Sequence, residues 1–600
     1  MISSDNIGGA ITIRFEGDSG DGIISMGKAA ARTAARLGYH VYTYSTFLAV
    51  VRGGQVTFQL RIGSAPLLSQ GDDPDILVAL NRKAFTDAGP RVRPGGIILH
   101  PSIRDDWPKT GPDVRMIDVP IEELSIRETG SARCKNIVAS GILLGLLGFS
   151  RREGEDVVRE MFGGKEGDIA DMNVIALGAG YEYGEQAGDV TDHLRFPVLE
   201  SCRRLLLSGN EAVALGALVG GVRFFAGYPI TPASEIMEWL AAEMPKIGGT
   251  MIQAEDEIAA LAMCIGASFG GVKSMTATSG PGLSLMIELL ALAGMAELPV
   301  VVIDVQRAGP STGMPTKEAQ GDLNLAIHGS HGEVPRVVIA PQSVADCFRQ
   351  TIEAVNIAHR FHIPVIVLSS QSLSHRMQTI NLSDLHNVPL FEEPFWKPGI
   401  VDEQYRRFMQ TPDGMPSCRS IPGMEGGMYR AGGLEHDETG NPNFDPEVRR
   451  RMVERRRERM HAIQRAFHEM ESGEFDCACR SELGLVSWGA TASAVLEALQ
   501  QLKWEGHTFC HLMPRILWPL PDTTFRHFFA SGLKYLFVCE LNATRQFAEI
   551  LRARYTAELI KHGVEVISIT KDDGLPFTPG ELKTAILKEL ANRACEPKGM

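Results

Sequence analysis

Two turns in the middle of the 600-residue chain place chemically useful side chains directly after apolar runs. Tyr228 and Thr231 lie in GYPITP, and Glu257 opens an apolar segment, with Glu255 two residues earlier as the alternative acid. Pro232 is expected in a first helical turn, so the Thr231 hydroxyl would lie at a helix N-terminus, where N–H groups and the helix dipole favour an anion. Without a ligand, Thr231 would be an N-cap and the acids would only complement the dipole.

Two further turns also follow short apolar runs that are typical of buried strands: TSGPG (278–282) and QRAGPSTGMPTK (306–317). The second of them carries Arg307 and Thr312. Clefts in doubly wound sheets form at the carboxyl ends of the strands, so these turns are expected to line one cleft. A guanidinium can hold a carboxylate with two hydrogen bonds. A structural salt bridge is the competing interpretation of Arg307.

A glycine-rich turn near the start, EGDSGDGIISMGKAA (16–30), follows the apolar run ITIRF. Its glycine spacing fits neither the G-x-G-x-x-G dinucleotide motif nor a P-loop. GDG (20–22) matches the first half of a thiamine diphosphate motif, but the Asn that completes that motif is missing, since no Asn occurs between Asn6 and Asn81. A tight strand-to-helix turn with glycine at positive φ is therefore the favoured interpretation.

Length and composition indicate a globular protein of several domains, with 44% hydrophobic and 22% charged residues. The formal net charge of −14 argues against a nucleic-acid-binding protein. The most apolar stretch, residues 281–305, is interrupted by Glu288, Glu297 and Pro299 and therefore does not predict a membrane span. No signal peptide is expected, and the expected location is the cytoplasm.

Short apolar runs that alternate with helix-like segments predict an α/β protein with mostly parallel sheets. Residues 1–190 are expected to form a first α/β domain, 200–380 a second and 481–600 a third. Residues 385–480 comprise a Gly/Pro-rich linker and, after it, a basic helix. A loop of this length inside a compact protein is usually functional or disordered.

The order and distances of GYPITP, EDEIAA, TSGPG and QRAGPSTGMPTK resemble the α-subunit of 2-oxoacid:ferredoxin oxidoreductases. The C-terminal SWGAT, PLP and ELNATRQFAEILRA resemble the transketolase C-terminal-like domain of that subunit. GDSGDGIISMGKAA with VVRGGQVTFQLRIG resembles the family's γ module, here fused ahead of the α part. The resemblance covers nearly the whole chain. It implies a γ-type domain, a thiamine-pyrimidine-binding (transketolase-like) domain and a transketolase C-terminal-like domain.

The resemblance implies that thiamine diphosphate is shared with a β-subunit, which carries Mg²⁺. The GDG at 20–22 is then a coincidence. Glu257 is implied as the catalytic acid at the pyrimidine: a carboxylate that hydrogen-bonds N1′ favours the tautomer whose N4′ can remove the C2 proton. Its apolar surroundings favour Glu257 over Glu255.

Tyr228, Thr231, Arg307 and Thr312 are implied as substrate-binding residues, with Arg307 on a substrate carboxylate. Arg52 is implied as a contact of a coenzyme A phosphate or of the substrate. No metal ligand is implied in this chain. Because the sequence contains no C-x₂-C-x₂-C run, the 4Fe-4S cluster is expected on the β-subunit, and the chain alone should be inactive.

The implied reaction converts 2-oxoglutarate, CoA and oxidised ferredoxin reversibly to succinyl-CoA, CO₂ and reduced ferredoxin. PSTGMPTK and GLEH (433–436) resemble the subgroup specific for 2-oxoglutarate. Pyruvate or branched-chain 2-oxoacids stay open as substrates, as do a ferredoxin-independent thiamine enzyme of the E1 or transketolase type and a non-catalytic assembly subunit. The expected partners are a β-subunit in a heterotetramer, ferredoxin, the 2-oxoacid and CoA. Ser370 and Gln371 stand where relatives commonly have an acidic residue.

Overall fold

The computed structural model of the chain describes residues 9–46, 54–101, 110–111, 113–164, 168–187, 196, 204–397, 405–469, 473–476 and 481–594. Within these ranges short strands alternate with helices, as the sequence predicts. The strands are β1 (Ile11–Asp18), β2 (His40–Thr46), β3 (Gln55–Gly63), β4 (Ile76–Ala79), β5 (Ile97–His100), β6 (Arg115–Asp118), β7 (Leu205–Ser208), β8 (Phe224–Gly227), β9 (Thr250–Gln253), β10 (Ser274–Thr278), β11 (Val300–Gln306), β12 (Val337–Ile339), β13 (Pro364–Ser370), β14 (Met377–Ile380), β15 (Gly473–Asp476), β16 (Leu483–Ser487), β17 (Cys510–Pro514), β18 (Ile516–Trp518), β19 (Tyr535–Glu540) and β20 (Glu565–Thr570).

The helices of the same ranges mostly follow the strands directly. They are α1 (Ile23–Arg36), α2 (Arg82–Ala88), α3 (Ile121–Thr129), α4 (Lys135–Leu146), α5 (Arg151–Phe162), α6 (Ile169–Gln186), α7 (Gly209–Val219), α8 (Ser234–Glu243), α9 (Glu257–Phe269), α10 (Gly280–Ala296), α11 (Leu323–His328), α12 (Val344–Phe361), α13 (Gln371–His375), α14 (Pro446–Glu469), α15 (Thr491–Trp504), α16 (Asp522–Phe529), α17 (Gln546–His562) and α18 (Pro579–Ala594). Within the described ranges, no helix combines the length and the apolarity that a membrane crossing needs.

Contacts group the chain into two units, of which the first comprises residues 1–208, 375–384 and 578–580. Its sheet has the order β6-β5-β4-β1-β3-β2-β14-β7. The strands β1, β4, β5 and β6 run parallel, whereas β3, β2, β14 and β7 pair antiparallel along the sheet. The sequence assigned residues 377–380 to the second domain, but β14 pairs with β2 and β7 in this first sheet.

The second unit comprises residues 209–374, 385–577 and 581–600 and contains two sheets. One has the order β18-β12-β13-β11-β10-β8-β9 and the other β15-β17-β16-β19-β20. All neighbouring strands are parallel except β18 and β15, which pair antiparallel at the edges. One hydrophobic cluster contains residues of both sheets, among them Val302 of β11 and Val538 of β19. The predicted α/β fold class is confirmed.

The central strand β11 explains how this unit presents polar groups at one edge of its sheet. Its sequence, VVVIDVQ, is buried at every position, which is typical of a parallel strand covered on both faces. Because β8, β9, β10, β11 and β13 run in the same direction, the turns after them lie along the same edge. Four of the turns that the sequence singled out follow these strands.

Candidate active site

Helix α9 begins at Glu257, and the preceding residue fixes that start. The Asp256 side chain accepts a hydrogen bond from the Ala259 backbone N–H at 2.7 Å, which is an N-cap. Glu257 is only 5% exposed, whereas Glu255 lies before the cap and is exposed. Among the hydrogen bonds of the described residues, none reaches the Glu257 carboxylate. The Glu257 carboxylate therefore keeps its hydrogen-bonding capacity for a ligand.

The TSGPG turn packs directly against Glu257. A Cβ atom on Gly282 would lie 2.6 Å from Glu257 Cγ and 2.0 Å from Thr278 Oγ1. Any larger residue at position 282 would therefore displace the acid or distort the turn. The glycine of this motif is required by the close approach of the α9 side chain to the start of α10.

Arg307, the residue after β11, connects two of the predicted turns. Its Nη1 donates to the Thr231 carbonyl at 2.7 Å and its Nη2 to the Thr312 carbonyl at 3.2 Å. The side chain is buried, and its Nε–H has no acceptor among the described residues. Burial lowers the pKa of Arg307, while nearby acids, Glu257 among them, act in the opposite direction. The structure thus brings Thr231, Arg307 and Thr312 together, and the Glu257 carboxylate acts electrostatically on Arg307.

The GYPITP turn differs from its prediction in one respect. Helix α8 begins at Ser234, so Pro232 lies before the first helical turn and Thr231 is not at the helix N-terminus. A hydrogen bond from Ala233 N–H to the Ile230 carbonyl at 2.8 Å forms a separate turn first. The predicted position of Thr231 at a helix N-terminus is therefore wrong, because residues 230–233 form a turn before α8 begins. Thr231 is exposed and Tyr228 is 41% exposed in this turn.

The turn that carries Thr312 is a closed loop. The Ala308 N–H donates to the Lys317 carbonyl at 3.0 Å and the Met314 N–H to the Ala308 carbonyl at 2.8 Å. A Cβ atom on Gly313, whose φ is +54°, would lie 1.9 Å from the Ala308 carbonyl oxygen, so only glycine permits this closure. Thr312 is consequently exposed at the tip of the loop.

Gln320 anchors the same loop to the C-terminal sheet, a role that sequence reasoning missed. Its backbone N–H donates to the Leu541 carbonyl at 2.7 Å, and its Nε2 donates to the Trp488 carbonyl at 2.8 Å. The Thr491 hydroxyl donates to Gln320 Oε1 at 2.9 Å. Trp488 and Thr491 belong to SWGAT, so the C-terminal motif holds the loop of Arg307 and Thr312 in place. The position of SWGAT directly after an apolar strand was the available signal.

Sequence reasoning also missed two acids beside Arg307. Asp304 lies within the apolar run of β11 and is 0% exposed, and Asp322 precedes α11. A charged residue inside a run of Val and Ile was the signal, since such residues are almost never fully buried without a partner. Their interaction is described below.

The buried Ser370 and Gln371, which depart from the family pattern, stand at the junction of β13 and α13. The Ser372 backbone N–H donates to the Glu318 carboxylate. An acid from a neighbouring loop therefore reaches this junction.

In the first unit, the glycine-rich turn is closed by its own side chains. Asp21 accepts from the Asp18 backbone N–H at 2.9 Å and forms an ion pair with Lys135, also at 2.9 Å. Gly20 and Gly22 have φ values of +107° and +76°. These contacts fit the interpretation as a strand-to-helix turn, and they occupy the Asp21 carboxylate. The predicted contact residue Arg52 lies outside the described residues. Throughout the described ranges, no group of three His, Cys, Asp or Glu side chains is arranged to hold a metal ion.

Comparison with known proteins supports one family. Residues 215–455 match a family model described as pyruvate flavodoxin/ferredoxin oxidoreductase, thiamine diphosphate-binding, and residues 12–183 match pyruvate ferredoxin/flavodoxin oxidoreductase. The 2-oxoglutarate oxidoreductase subunit KorA of Mycobacterium tuberculosis is 34% identical over 98% of this chain and 92% of its own length. The chain belongs to the 2-oxoacid:ferredoxin oxidoreductase family.

Two further proteins are similar to this oxidoreductase subunit, one over part of the chain and one over nearly all of it. The 2-oxoglutarate synthase subunit KorA of Methanocaldococcus jannaschii is 37% identical over 64% of this chain and 98% of its own length. A solved structure, 2-oxoglutarate:ferredoxin oxidoreductase from Magnetococcus marinus with 2-oxoglutarate, coenzyme A and succinyl-CoA bound, is 36% identical, covers 97% of this chain and 99% of that one, and has a TM-score of 0.88. The predicted α-subunit with a fused N-terminal module is confirmed. The chain is an oxidoreductase subunit with a thiamine-diphosphate-binding segment.

The residues present in this oxidoreductase subunit fit the pyrimidine half of thiamine diphosphate. The Glu257 carboxylate is buried, has no donor among the described residues and faces a glycine at position 282. A ring nitrogen that offers a hydrogen-bonding partner would satisfy that carboxylate. The individual roles of Glu257, Tyr228, Thr231, Arg307 and Thr312 stay predictions.

Proposed function

We propose that this chain is the α-subunit, with a fused γ-type module, of a complex that converts 2-oxoglutarate, CoA and oxidised ferredoxin to succinyl-CoA, CO₂ and reduced ferredoxin, reversibly. The observation that carries the proposal is the similarity over 97% of the chain to the Magnetococcus marinus enzyme, whose structure holds 2-oxoglutarate, coenzyme A and succinyl-CoA. The Mycobacterium tuberculosis and Methanocaldococcus jannaschii relatives carry the same substrate in their names.

The predicted domains are part of the proposal. Residues 1–190 act as the γ-type module and 200–380 as the pyrimidine-binding domain, apart from strands β7 and β14, which pair in the first sheet. Residues 385–480 form the linker with its basic helix, and 481–600 the transketolase C-terminal-like domain. The hydrogen bonds of Gln320 to Trp488 and Leu541 support a positioning role for the last of these.

Glu257 is proposed to hold the proton that activates the cofactor. When bound, thiamine diphosphate would supply an acidic carbon, C2, whose deprotonated form is a nucleophile suited to 2-oxo carbons. A carboxylate at N1′ of the aminopyrimidine favours the tautomer whose N4′ accepts the C2 proton. The buried position of Glu257 at the start of α9 suits that role, because a hydrogen bond is stronger away from water.

Arg307 is proposed to bind the substrate carboxylate. Two of its N–H groups are bound to the Thr231 and Thr312 carbonyls, which fixes the plane of the guanidinium, and its Nε–H has no acceptor among the described residues. A fixed guanidinium loses little freedom when a carboxylate binds. Thr231, Thr312 and Tyr228 are exposed around it and are proposed to complete the substrate site. Arg52 is proposed to contact CoA or the substrate.

A β-subunit is proposed to supply Mg²⁺, the diphosphate site and a 4Fe-4S cluster. Oxidation of the substrate releases two electrons, and iron–sulfur centres accept electrons one at a time on the way to ferredoxin. The absence of a C-x₂-C-x₂-C run in the sequence supports a cluster on the partner. The complex is proposed to be a cytoplasmic heterotetramer with two copies of this chain.

The test is purification of the native complex with its partner, followed by assays of ferredoxin reduction. Each 2-oxoacid is offered with and without CoA: 2-oxoglutarate, pyruvate and a branched-chain 2-oxoacid. We expect CoA-dependent activity, with the highest kcat/KM for 2-oxoglutarate. A higher value for another acid would reassign the substrate. Activity of the isolated chain, or activity without ferredoxin, would overturn the proposed complex.

A further inference from the structure

Asp304 and Asp322 form a buried acid pair. Asp304 is 0% exposed, and neither of its carboxylate oxygens has a hydrogen-bond donor among the described residues. Asp322 Oδ2 is buried and also lacks a donor there. The two carboxyl groups act directly on each other. Because two ionised carboxylates repel each other and these oxygens receive no donor from the described residues, the arrangement favours a proton on one of the two acids.

The acid pair lies inside the candidate active site. The Asp322 backbone N–H donates to Gln306 Oε1 at 3.2 Å, and a Cβ atom on Gly280 would lie 2.8 Å from Asp322 Oδ2. Asp322 therefore packs against the first residue of α10. Arg307 acts electrostatically on both acids, and Glu257 acts on Arg307. Asp304, Asp322, Glu257 and Arg307 are thus linked electrostatically through Arg307.

Burial favours the protonated form of both acids. It raises the pKa of Asp304 well above its ordinary value, and the neighbouring Asp322 raises it further, against the opposing effect of Arg307. Burial also raises the pKa of Asp322, to about 6. Asp304 is therefore the acid that holds its proton more strongly, and Asp322 gains one in mild acid.

We propose that the Asp304–Asp322 pair sets the charge beside Arg307 through its protons and thereby controls how strongly Arg307 binds an anionic 2-oxoacid. This inference rests on the proposed function of Arg307. If Asp304, Asp322 and Glu257 were all ionised, three negative charges would surround one guanidinium and repel the substrate. One retained proton removes one of those charges. The two acids are positioning residues, since they act through Arg307.

Two isosteric substitutions separate the roles of the acids. In Asp304→Asn, the amide can still donate to Asp322, so this variant imitates the protonated Asp304. In Asp322→Asn, the charge next to Arg307 is removed at every pH. Asp572→Asn, which removes an exposed carboxylate of the same unit, is the matched control.

The first measurement is the KM for 2-oxoglutarate of the complex at pH values on either side of the Asp322 pKa of about 6. An electrostatic effect strong enough to shift a pKa by one unit changes the binding affinity for a charged ligand about tenfold. We expect the KM of the wild-type and Asp572→Asn complexes to rise about tenfold from mild acid to neutral pH, with kcat changing less. The KM of Asp322→Asn should stay low across this range. A KM of Asp322→Asn that rises like the wild-type value would overturn the proposal.

The second measurement does not depend on turnover. Infrared difference spectra of the full chain at neutral pH should contain the carbonyl band of a protonated carboxyl group, which Asp304→Asn removes and Asp572→Asn retains. An unchanged band in Asp304→Asn would show that the pair holds no proton and would overturn the inference. If no 2-oxoacid were turned over, the proposed function would fail, while the infrared result would still decide whether the pair is protonated.

Discussion

Two groups of buried charged residues in the second unit contain the same residue types but differ in the hydrogen bonds that their carboxylates receive. We call the first the ion network; it comprises Glu297, His359, His362, Glu393, Arg407, Arg419, Arg455 and Arg459. In the ion network each carboxylate receives several donors: Glu393 accepts from His359 at 2.7 Å, His362 at 2.9 Å and Arg419 at 2.9 Å. In the candidate active site, Glu257 and Asp304 have no donor among the described residues.

The difference separates structural charges from functional ones. A buried ion pair costs desolvation energy that only complete hydrogen bonding offsets. The ion network is hydrogen-bonded in this way, and it attaches residues 405–469 to α9, to the residue after α10 and to α12. In the candidate site, the desolvation of Asp304 and of the Nε of Arg307 is not offset by such hydrogen bonds. Packing elsewhere in the fold maintains these groups, and the Glu257 carboxylate keeps its hydrogen-bonding capacity for a ligand.

Glu257→Gln should lose most of the activity but keep the fold. The fold should persist because none of the described hydrogen bonds depends on the carboxylate. An amide cannot share the N1′ proton, and loss of a positioned acid–base group lowers rates by about 10²–10⁴-fold. Deuterium exchange at thiamine C2 and 2-oxoacid turnover in the assembled complex measure the loss. The exposed Glu255→Gln is the control. Fast exchange in Glu257→Gln together with slow exchange in Glu255→Gln would reassign the catalytic acid.

Arg419→Ala should have the opposite outcome, a loss of stability without a loss of activity per folded molecule. Arg419 is 0% exposed and donates to Glu393 and to the Ser268 carbonyl. Removing one partner of a buried pair costs about 3–5 kcal/mol. Arg450→Ala, at a surface pair with Glu447, should cost less than about 1 kcal/mol. Urea unfolding and specific activity are measured on the same preparations. Normal stability of Arg419→Ala would refute the structural role of the ion network.

Arg307→Ala tests whether a buried arginine of the site behaves like those of the ion network. Loss of one partner from a hydrogen-bonded charge pair costs about 2–5 kcal/mol, so kcat/KM should fall by about 30-fold to several thousand-fold. Arg307→Lys should lie between, since it keeps the charge but not the two-pronged geometry. Kinetics with several 2-oxoacids and thermal unfolding distinguish the cases. A folded Arg307→Ala complex with unchanged kcat/KM would remove Arg307 from the site.

The smallest expected effect concerns the pH dependence of stability in the ion network. A guanidinium can only donate hydrogen bonds, so His362 Nδ1 accepts from Arg407. Its Nε2 donates to Glu393, and the ring is therefore neutral. Burial and then Arg407 lower the pKa of His362 to about 3. Its unfolded value is about 6.5, so the unfolded chain binds one more proton between these values, and stability falls as the pH falls through this window.

We expect His362→Gln to weaken that acid-induced loss, because a glutamine amide can accept from Arg407 and donate to Glu393 without titrating. Melting temperatures measured from neutral pH into mild acid would reveal the difference. His461→Gln, at a histidine side chain that is 46% exposed, should behave like the wild type. If His362→Gln lost stability in acid as steeply as the wild type, His362 would not be the titrating group.

The sequence predicted much of the site because its turns depend on local requirements. Gly282 and Gly313 stand where a Cβ atom would lie within about 2 Å of a neighbouring oxygen, and such requirements leave a fixed motif. The α8 start was predicted too early, since a hydrogen bond from Ala233 to Ile230 forms a turn that no motif records. Asp304 and Asp322 were missed because they are 18 positions apart in the sequence, and only the fold brings them together.

Apolar periodicity and glycine positions act over a few residues, so the α/β class and the strand-end turns could be predicted from the sequence. The family followed from the order of the motifs that the sequence shares with it. Which charged residues are structural depends on contacts that only the folded chain makes. In the arginine-rich helix α14, Arg455 and Arg459 are buried against Glu297, whereas the Arg450 and Arg457 side chains are 73% and 64% exposed. The residue type is the same in all four cases. The cost of burying each charge depends on the groups that face it, and those groups come from distant parts of the chain.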